Sequence, residues 1–340
     1  MKLFSALLLG VLFSLAASAA APFVFGGTDV LRNVLAFPAA GAVAIVCAVM
    51  AGWTAKALKF RLLVAQLGPR LSFVQCLAVS IGCDGAFVAS PGGVAGYPAT
   101  VLLFGKVGVD ASRALTVAAA DQVLDLGFFG IAMPLALVWA LIHDLPTGPI
   151  VGKCTVAAVA SGVMLVAITS AIPGRQSLWK LVQQWPRTRL TNLRHIESVR
   201  GHWQQVRCHL QSLRTAPAAV IACTVLATAA QWLARYATLG IALAWMGYGI
   251  PSATVFFAQA AALHAGQWTG APGGAGATDT ILFESLRHWV PFTPLATALI
   301  VWRLATFHLT LLAGSIACTW LIVRSRPARA DYCCRGDVQN

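Results

Sequence analysis

The sequence predicts an all-α polytopic membrane protein built as two inverted repeats, each containing a broken or re-entrant helical hairpin. Three observations carry that expectation. Of 340 residues, 58% are hydrophobic and only 10% are charged, where soluble domains carry about a quarter charged residues. Apolar runs of about twenty residues or more recur along the chain, long enough to cross about 30 Å of hydrocarbon as helix. Finally, Ser90-Pro91-Gly92-Gly93 and Ala271-Pro272-Gly273-Gly274 each interrupt an apolar stretch, with Pro272 following Pro91 by 181 residues. At that same offset Gln122 falls on Arg303, both of them polar residues inside apolar runs. The short alternating strands of a β-barrel are not seen.

The net charge of +13 does not call for a nucleic-acid partner, because Lys and Arg accumulate in the cytoplasmic loops of membrane proteins. Nine cysteines are scattered through the chain. Most lie in apolar runs, where a free Cys behaves as a small hydrophobe. None has a metal-binding spacing, and neither cofactor nor metal is expected. Only Cys333-Cys334, near the end of the chain, leaves lipidation or metal binding open.

Residues 3–24 form the first apolar segment and are expected to be a retained helix, a cleaved signal peptide being the competing reading. A short loop with Asp29 and Arg32 follows. The second span covers 36–58 and ends in Lys56, Lys59, Arg61 and Arg70, a basic cluster that places its end in the cytoplasm. The first broken unit runs over 72–107 around Pro91-Gly92-Gly93, and further crossings are expected at 113–142 and 150–172. Residues 173–214 hold eight Arg or Lys against Glu197. Within them Leu190, Leu193, Ile196, Trp203, Val206, Leu210 and Leu213 recur at helical intervals. That is the stripe of a basic amphipathic helix suited to an anionic membrane surface; a cytoplasmic loop obeying charge bias accounts for it equally.

The second half follows the first: a span at 216–246, a broken unit at 252–289 around Pro272-Gly273-Gly274, and a last span at 294–323. Residues 324–340 are basic and polar and are expected to be a disordered tail. The single membrane domain thus divides into a first repeat at 36–142, a basic linker at 173–214 and a second repeat at 216–323. The basic clusters at 56–70, 173–214 and 324–329 all belong in the cytoplasm. Six full crossings and two hairpins then place both termini inside, and the two broken units enter from opposite sides.

Inverted repeats with interrupted helices are the pattern of secondary transporters, whose sites lie where the broken helices meet. Backbone freed by Pro and Gly is tolerated at membrane depth only inside protein or beside a wet cavity. A helix starting after Gly93 or Gly274 points its amide end at an anion; for either copy alone, a tight hairpin turn is the plainer reading. Ionisable residues inside spans are costly and usually functional. Here they are Asp121 and Asp125, four apart on one helical face with Gln122 between them, together with Arg303 and Arg235. Asp84, Gln267 and Asp279 flank the turns. Arg303 needs a carboxylate at this depth, and Asp121 or Asp125, reached across the repeat interface, is the expected partner. A packing ion pair without any transport role stands as the alternative. His264 and His308 read as hydrogen-bonded helix residues.

Several of these segments resemble a known family. Lys56-Ala-Leu-Lys-Phe-Arg61-Leu-Leu, Leu67-Gly-Pro-Arg-Leu-Ser-Phe73, the first Pro-Gly-Gly turn, Gly108-Val109 and Ala119-Ala-Asp121-Gln-Val-Leu-Asp125 are similar to the membrane region of the lysylphosphatidylglycerol synthase family. Its members include stand-alone flippase-like proteins. Pro272-Gly-Gly-Ala-Gly276-Ala-Thr-Asp279 looks like the family's Pro-Gly-Gly-x-Gly-x-x-Glu, and Ala298-Leu-Ile-Val-Trp-Arg303 like its arginine-bearing helix. The resemblance covers about residues 30–320. Three departures matter: Asp279 replaces Glu, Gln122 stands where an Arg is common, and Val94-Ala-Gly-Tyr-Pro98 lacks polar residues usual there. The soluble aminoacyl-transfer domain of some members has no counterpart in this sequence.

The resemblance implies handling or translocation of a lipid headgroup in a bacterial cytoplasmic (inner) membrane, without lysyl transfer. Arg303, Asp279, Arg235, Asp121, Asp125, Gln122 and Asp84 are then the headgroup or gating residues. Pro91, Gly92, Gly93, Pro272, Gly273, Gly274 and Gly276 form the backbone turns. The expected partners are membrane lipids, anionic in character, with a membrane enzyme or a second copy as further candidates. Catalysis is not expected, since no His-x-x-x-His pair, Gly-x-Ser-x-Gly elbow or paired acidic metal motif occurs. An accessory subunit docking through 190–213 and a small-solute transporter are the other readings.

Overall fold

Proline and glycine punctuate the apolar runs, and the helices begin and end accordingly. The computed structural model of the chain describes residues 27–142, 205–206, 208–213 and 215–324. The described residues form α1 (Gly27–Leu35), α2 (Ala39–Gln66), α3 (Phe73–Ala89), α4 (Gly96–Lys106), α5 (Ala111–Ile142), α6 (Ala218–Trp245), α7 (Ser252–Gln267), α8 (Ala277–Leu286), α9 (Phe292–Arg303) and α10 (Leu309–Val323). A π-helical turn, Leu304–His308, joins α9 to α10. The described residues contain no β-strand. Prolines at 38, 217, 251 and 291 precede α2, α6, α7 and α9, as expected of a residue that starts helices but cannot continue them. Ser72 and Gln75 close a reciprocal capping box at the head of α3.

Among the described residues, four helical stretches are long and apolar enough to cross a membrane: Ala39–Gln66, Ala111–Ala136, Ala218–Trp245 and Phe292–Val323. The distribution of polarity agrees, being reversed relative to a soluble domain. Val123, Ile131, Leu226 and Ile316 are each more than 60% exposed, while Lys59 is fully buried. The expected spans at 3–24 and 150–172, most of the linker and nearly all of the tail lie outside the described residues. The last part of the linker is helical at 205–206 and 208–213. There Val206 is buried and Leu213 packs on the core beneath α2, α3 and α5.

Two expectations need correction. Residues 27–35, expected as a loop, form α1, which packs on α9 with Val30 fully buried. The second span runs two turns past residue 58, to Gln66. Lys56 and Lys59 therefore lie inside the helix, facing protein, and only Arg61 and Arg70 stay exposed as the basic end.

Packing is reciprocal between the halves. α2 runs against α6, α3 against α10, and α7 against α5, while α3 with α4 and α7 with α8 form two helical hairpins. At 17 and 11 residues, α3 and α4 reach about 25 and 16 Å. At 16 and 10 residues, α7 and α8 reach about 24 and 15 Å. All four fall short of the hydrocarbon thickness.

Close helix contacts depend on small residues, because the lipid surroundings supply little hydrophobic drive for helix association. Gly85 of α3 meets Gly314 of α10 backbone to backbone, and a Cβ on Gly85 would lie 2.7 Å from the Gly314 Cα. Backbone cannot yield as a side chain can, so Gly85→Ala is expected to destabilise the fold by about 1–3 kcal/mol. Gly105→Ala, which meets nothing within 4 Å, should leave the melting temperature in detergent unchanged. Equal melting of the two variants would contradict this packing.

Candidate functional site

The two Pro-Gly-Gly turns meet: Pro91 and Pro272 form an isolated antiparallel bridge. Each turn needs its glycines, since Gly92, Gly93, Gly273 and Gly274 have φ of 60°, 74°, 59° and 64°, a region that side chains with a Cβ rarely enter. The turns differ in how their backbone is satisfied. In the first, Ser90 Oγ accepts from the Ala95 amide at 3.0 Å. In the second, the Asp279 carboxylate accepts from the Gly276 amide at 3.0 Å and Arg303 Nη1 donates to the Gly273 carbonyl at 2.8 Å. The amide end of α8, expected to face an anion, is thus taken by the protein's own acid.

Arg303 closes a two-point pair with Asp279, Nε to Oδ1 at 2.6 Å and Nη2 to Oδ2 at 3.1 Å. Asp279, and not Asp121 or Asp125, is therefore its partner, and the pair lies within the second half. The reason is local. Arg303 sits where α9 passes the turn, and Asp279 one turn into α8 is within its reach. The π-turn begins just after Arg303, and its last residue, His308, places Nδ1 3.2 Å from the Arg303 carbonyl. His264 Nδ1 likewise sits 2.7 Å from the Ala260 carbonyl.

Asp121 and Asp125 converge instead on Lys59, whose Nζ is 2.5 Å from Asp121 and 2.9 Å from Asp125. Trp232 Nε1 also donates to Asp125 at 2.9 Å, tying α5 to α6. A second cluster centres on Asp84 of α3: Lys56 reaches Oδ1 at 2.5 Å and Arg235 reaches Oδ2 at 3.3 Å. Arg235 also lies over the Trp232 ring. Gln122, beside Asp121 on α5, is only partly buried. Outside the spans, Asp110 heads α5. Burial raises the pKa of its carboxyl, but hydrogen bonds from Ser112 and the Arg113 amide, with the Arg113 charge, hold it below the usual range.

Lys56 and Lys59 were not read as site residues, although the sequence held a signal for Lys56. α2 and α6 both begin after a proline and are 28 residues long. Trp53 and Lys56 occupy the same helix positions in α2 as Trp232 and Arg235 in α6. For Lys59 the signal was the acid pair itself, since two intramembrane carboxylates demand a cation.

Two cavities lie between the halves. One, of about 50 Å³, is lined by residues that include Arg235, Gln259, Gln267, Gly273, Arg303 and Thr306. The other, of about 20 Å³, touches Asp84, Gln231, Arg235 and Thr306. Arg235 and Thr306 wall both. Of the residues expected at the site, Asp84, Arg235 and Arg303 line a cavity, while Asp121 and Asp125 lie apart at Lys59.

The family described as the lysylphosphatidylglycerol synthase TM region matches residues 7–314. The chain belongs to this family. A UPF0104 membrane protein of Archaeoglobus fulgidus is 21% identical over 280 residues, covering 81% of this chain and 84% of its relative. The protein is thus an integral membrane member of the lysylphosphatidylglycerol synthase membrane-region family.

The Lys59 cluster yields a stability prediction. Lys59→Met leaves two carboxylates in the interior without their cation and should cost about 3–5 kcal/mol. The triple variant Lys59→Met, Asp121→Asn, Asp125→Asn should recover most of that loss. Thermal unfolding in detergent measures both; a triple variant as unstable as the single would contradict the pairing.

Proposed function

We propose that this protein translocates an anionic lipid headgroup through the polar cleft between its halves, the acyl chains remaining in lipid. One observation carries the reading: Arg235 of α6 and Arg303 of α9 line one cavity beside the bridged turns, and Phe87 and Val88 close its wall from the first half. Arg235 is also the second cation on Asp84, which already pairs with Lys56. The cavity wall therefore holds one positive charge more than that carboxylate balances, and the opposite surplus sits at Lys59 with its two acids. A phosphate is the natural ligand for such a fork of guanidinium donors.

Inverted repeats suit this reading. The matched helix order, the reciprocal packing and the antiparallel bridge between the turns are what opposed, re-entrant hairpins would give. Surface charge supports the same orientation. The end where α3 and α4 open carries Arg61, Arg70, Lys106 and Arg113, whereas the end where α7 and α8 open carries Arg287 beside Glu284. Positive-inside bias favours the first hairpin on the cytoplasmic side, which accords with both termini cytoplasmic in a bacterial inner membrane. A cavity of about 50 Å³ holds a few waters, not a headgroup. Passage accordingly requires the bridged turns to part, with Asp279 and Asp84 releasing their arginines to the phosphate. No chemical step is needed, and we assign the protein no enzymatic activity.

Arg235 offers the cleaner test, because its removal leaves Asp84 paired with Lys56. In vesicles carrying a fluorescent anionic phospholipid, wild type should move lipid between leaflets faster than protein-free vesicles. Arg235→Gln should slow that movement about tenfold or more, the equivalent of one charge-assisted hydrogen bond. Wild-type and Arg235→Gln rates that coincide would remove Arg235 from the pathway, and a wild-type rate no higher than that of empty vesicles would sink the function.

A further inference from the structure

The cavity holds more than arginines. Gln259 of α7 is fully buried in its wall. Its Nε2 donates to the Tyr236 carbonyl at 2.6 Å and to the Val255 carbonyl at 3.4 Å. Two carbonyls on the nitrogen end fix the orientation of the amide, because only the NH₂ group can donate to both. The Oε1 end faces the other way and has no hydrogen-bond partner. Trp302, also in the cavity wall and 2% exposed, has an indole Nε1 without a partner. In the adjoining cavity Gln231 Oε1, in a residue 4% exposed, is in the same condition.

Buried polar atoms are nearly always paired, and each exception needs a reason. Here the unpaired atoms are of both kinds. Trp302 Nε1 can only donate, as can Arg235 and Arg303, so these three suit phosphate oxygens. Gln259 Oε1 can only accept, and no phosphate diester oxygen can satisfy it. A ligand that fits both must bring acceptors and at least one donor.

We propose that Gln259 makes the site selective for the alcohol part of the headgroup: the ligand is an anionic phosphodiester whose alcohol keeps a free hydroxyl. The phosphate accepts from Arg235, Arg303 and Trp302, and the hydroxyl donates to Gln259 Oε1. A headgroup of equal charge and size without a donor leaves that oxygen buried and unpaired, which a polar site of this kind rejects. The inference rests on the lipid-translocation reading and adds to it the chemistry of the cargo and the residue that reads it.

The test uses the full chain in vesicles with two chain-labelled lipids of the same charge, phosphatidylglycerol and phosphatidylpropanol. They differ only in the two hydroxyls of the headgroup. Wild type should move the hydroxylated lipid at least about tenfold faster. Gln259→Met, close in shape but without an amide, should bring the two rates together by slowing the hydroxylated lipid, with its melting temperature measured alongside. Equal wild-type rates, each above protein-free vesicles, would overturn the selectivity and leave translocation standing. A preference that persists in Gln259→Met would overturn the role of Gln259. If neither lipid moves faster than in empty vesicles, the translocation reading fails and this inference with it.

Discussion

Charges enclosed by hydrocarbon must neutralise one another, and that requirement sets how the helices of this protein meet. Lys56, Lys59, Arg235 and Arg303 are matched with Asp84, Asp121, Asp125 and Asp279. Lys59 joins α2 to α5 and Lys56 joins α2 to α3 within the first half, Arg303 joins α9 to α8 within the second, and Arg235 on Asp84 joins α6 to α3 between them. Removing Lys59 or Arg303 leaves the partner carboxylates uncompensated in the interior, at a cost of several kcal/mol, whereas Asp84 keeps one cation when the other is lost. Apolar packing between the helices is interchangeable by comparison, because lipid is as apolar as leucine. The ion pairs and the glycine contacts, not general greasiness, therefore specify which helix lies against which.

Within that frame the two hairpins play unequal parts. The turn at Pro91 satisfies its own backbone through Ser90. The turn at Pro272 is held by Asp279 and Arg303, a pair that a phosphate can compete for. Arg303 is followed at once by a π-turn, a local unwinding that often accompanies functional positions in helices. Arg235 reaches the same cavity from α6 while sharing its acid with Lys56. The charge that can change partners thus sits at the cavity, and the charges that cannot sit at Lys59.

Much of this was legible in the sequence because it follows from composition and punctuation. Apolar run length marked spans at 36–58, 113–142, 216–246 and 294–323, where helices run at 39–66, 111–142, 218–245 and 292–323, and Pro-Gly-Gly marked both turns. Partner choice was not legible. Arg303 was expected to reach Asp121 or Asp125, yet Asp279, one turn past its own hairpin, lies nearer. A basic pair beside Arg61 looks like a loop signal, so Lys56 and Lys59 read as a cytoplasmic end, and only the true end of α2 at Gln66 shows otherwise. The short helix at 27–35 did carry a signal, Val30, Leu31, Val34 and Leu35 recurring at helical spacing, but nine residues with an acid and a base are too short and too polar to register as a span, and so read as a loop. Gln259 gave no signal at all: a lone glutamine in an apolar run says nothing until its carbonyl partners are known.

Under the proposed function, the bridged turns must separate for a headgroup to pass. Residues directly opposed in an antiparallel bridge have Cα atoms about 4.5–5.5 Å apart, a span that a disulfide can close. In a chain with its nine native cysteines replaced, Pro91→Cys with Pro272→Cys should cross-link on oxidation. Lipid movement in vesicles should then stop, and return when the bond is reduced. A fully cross-linked protein that moves lipid at the reduced rate or faster would contradict the account.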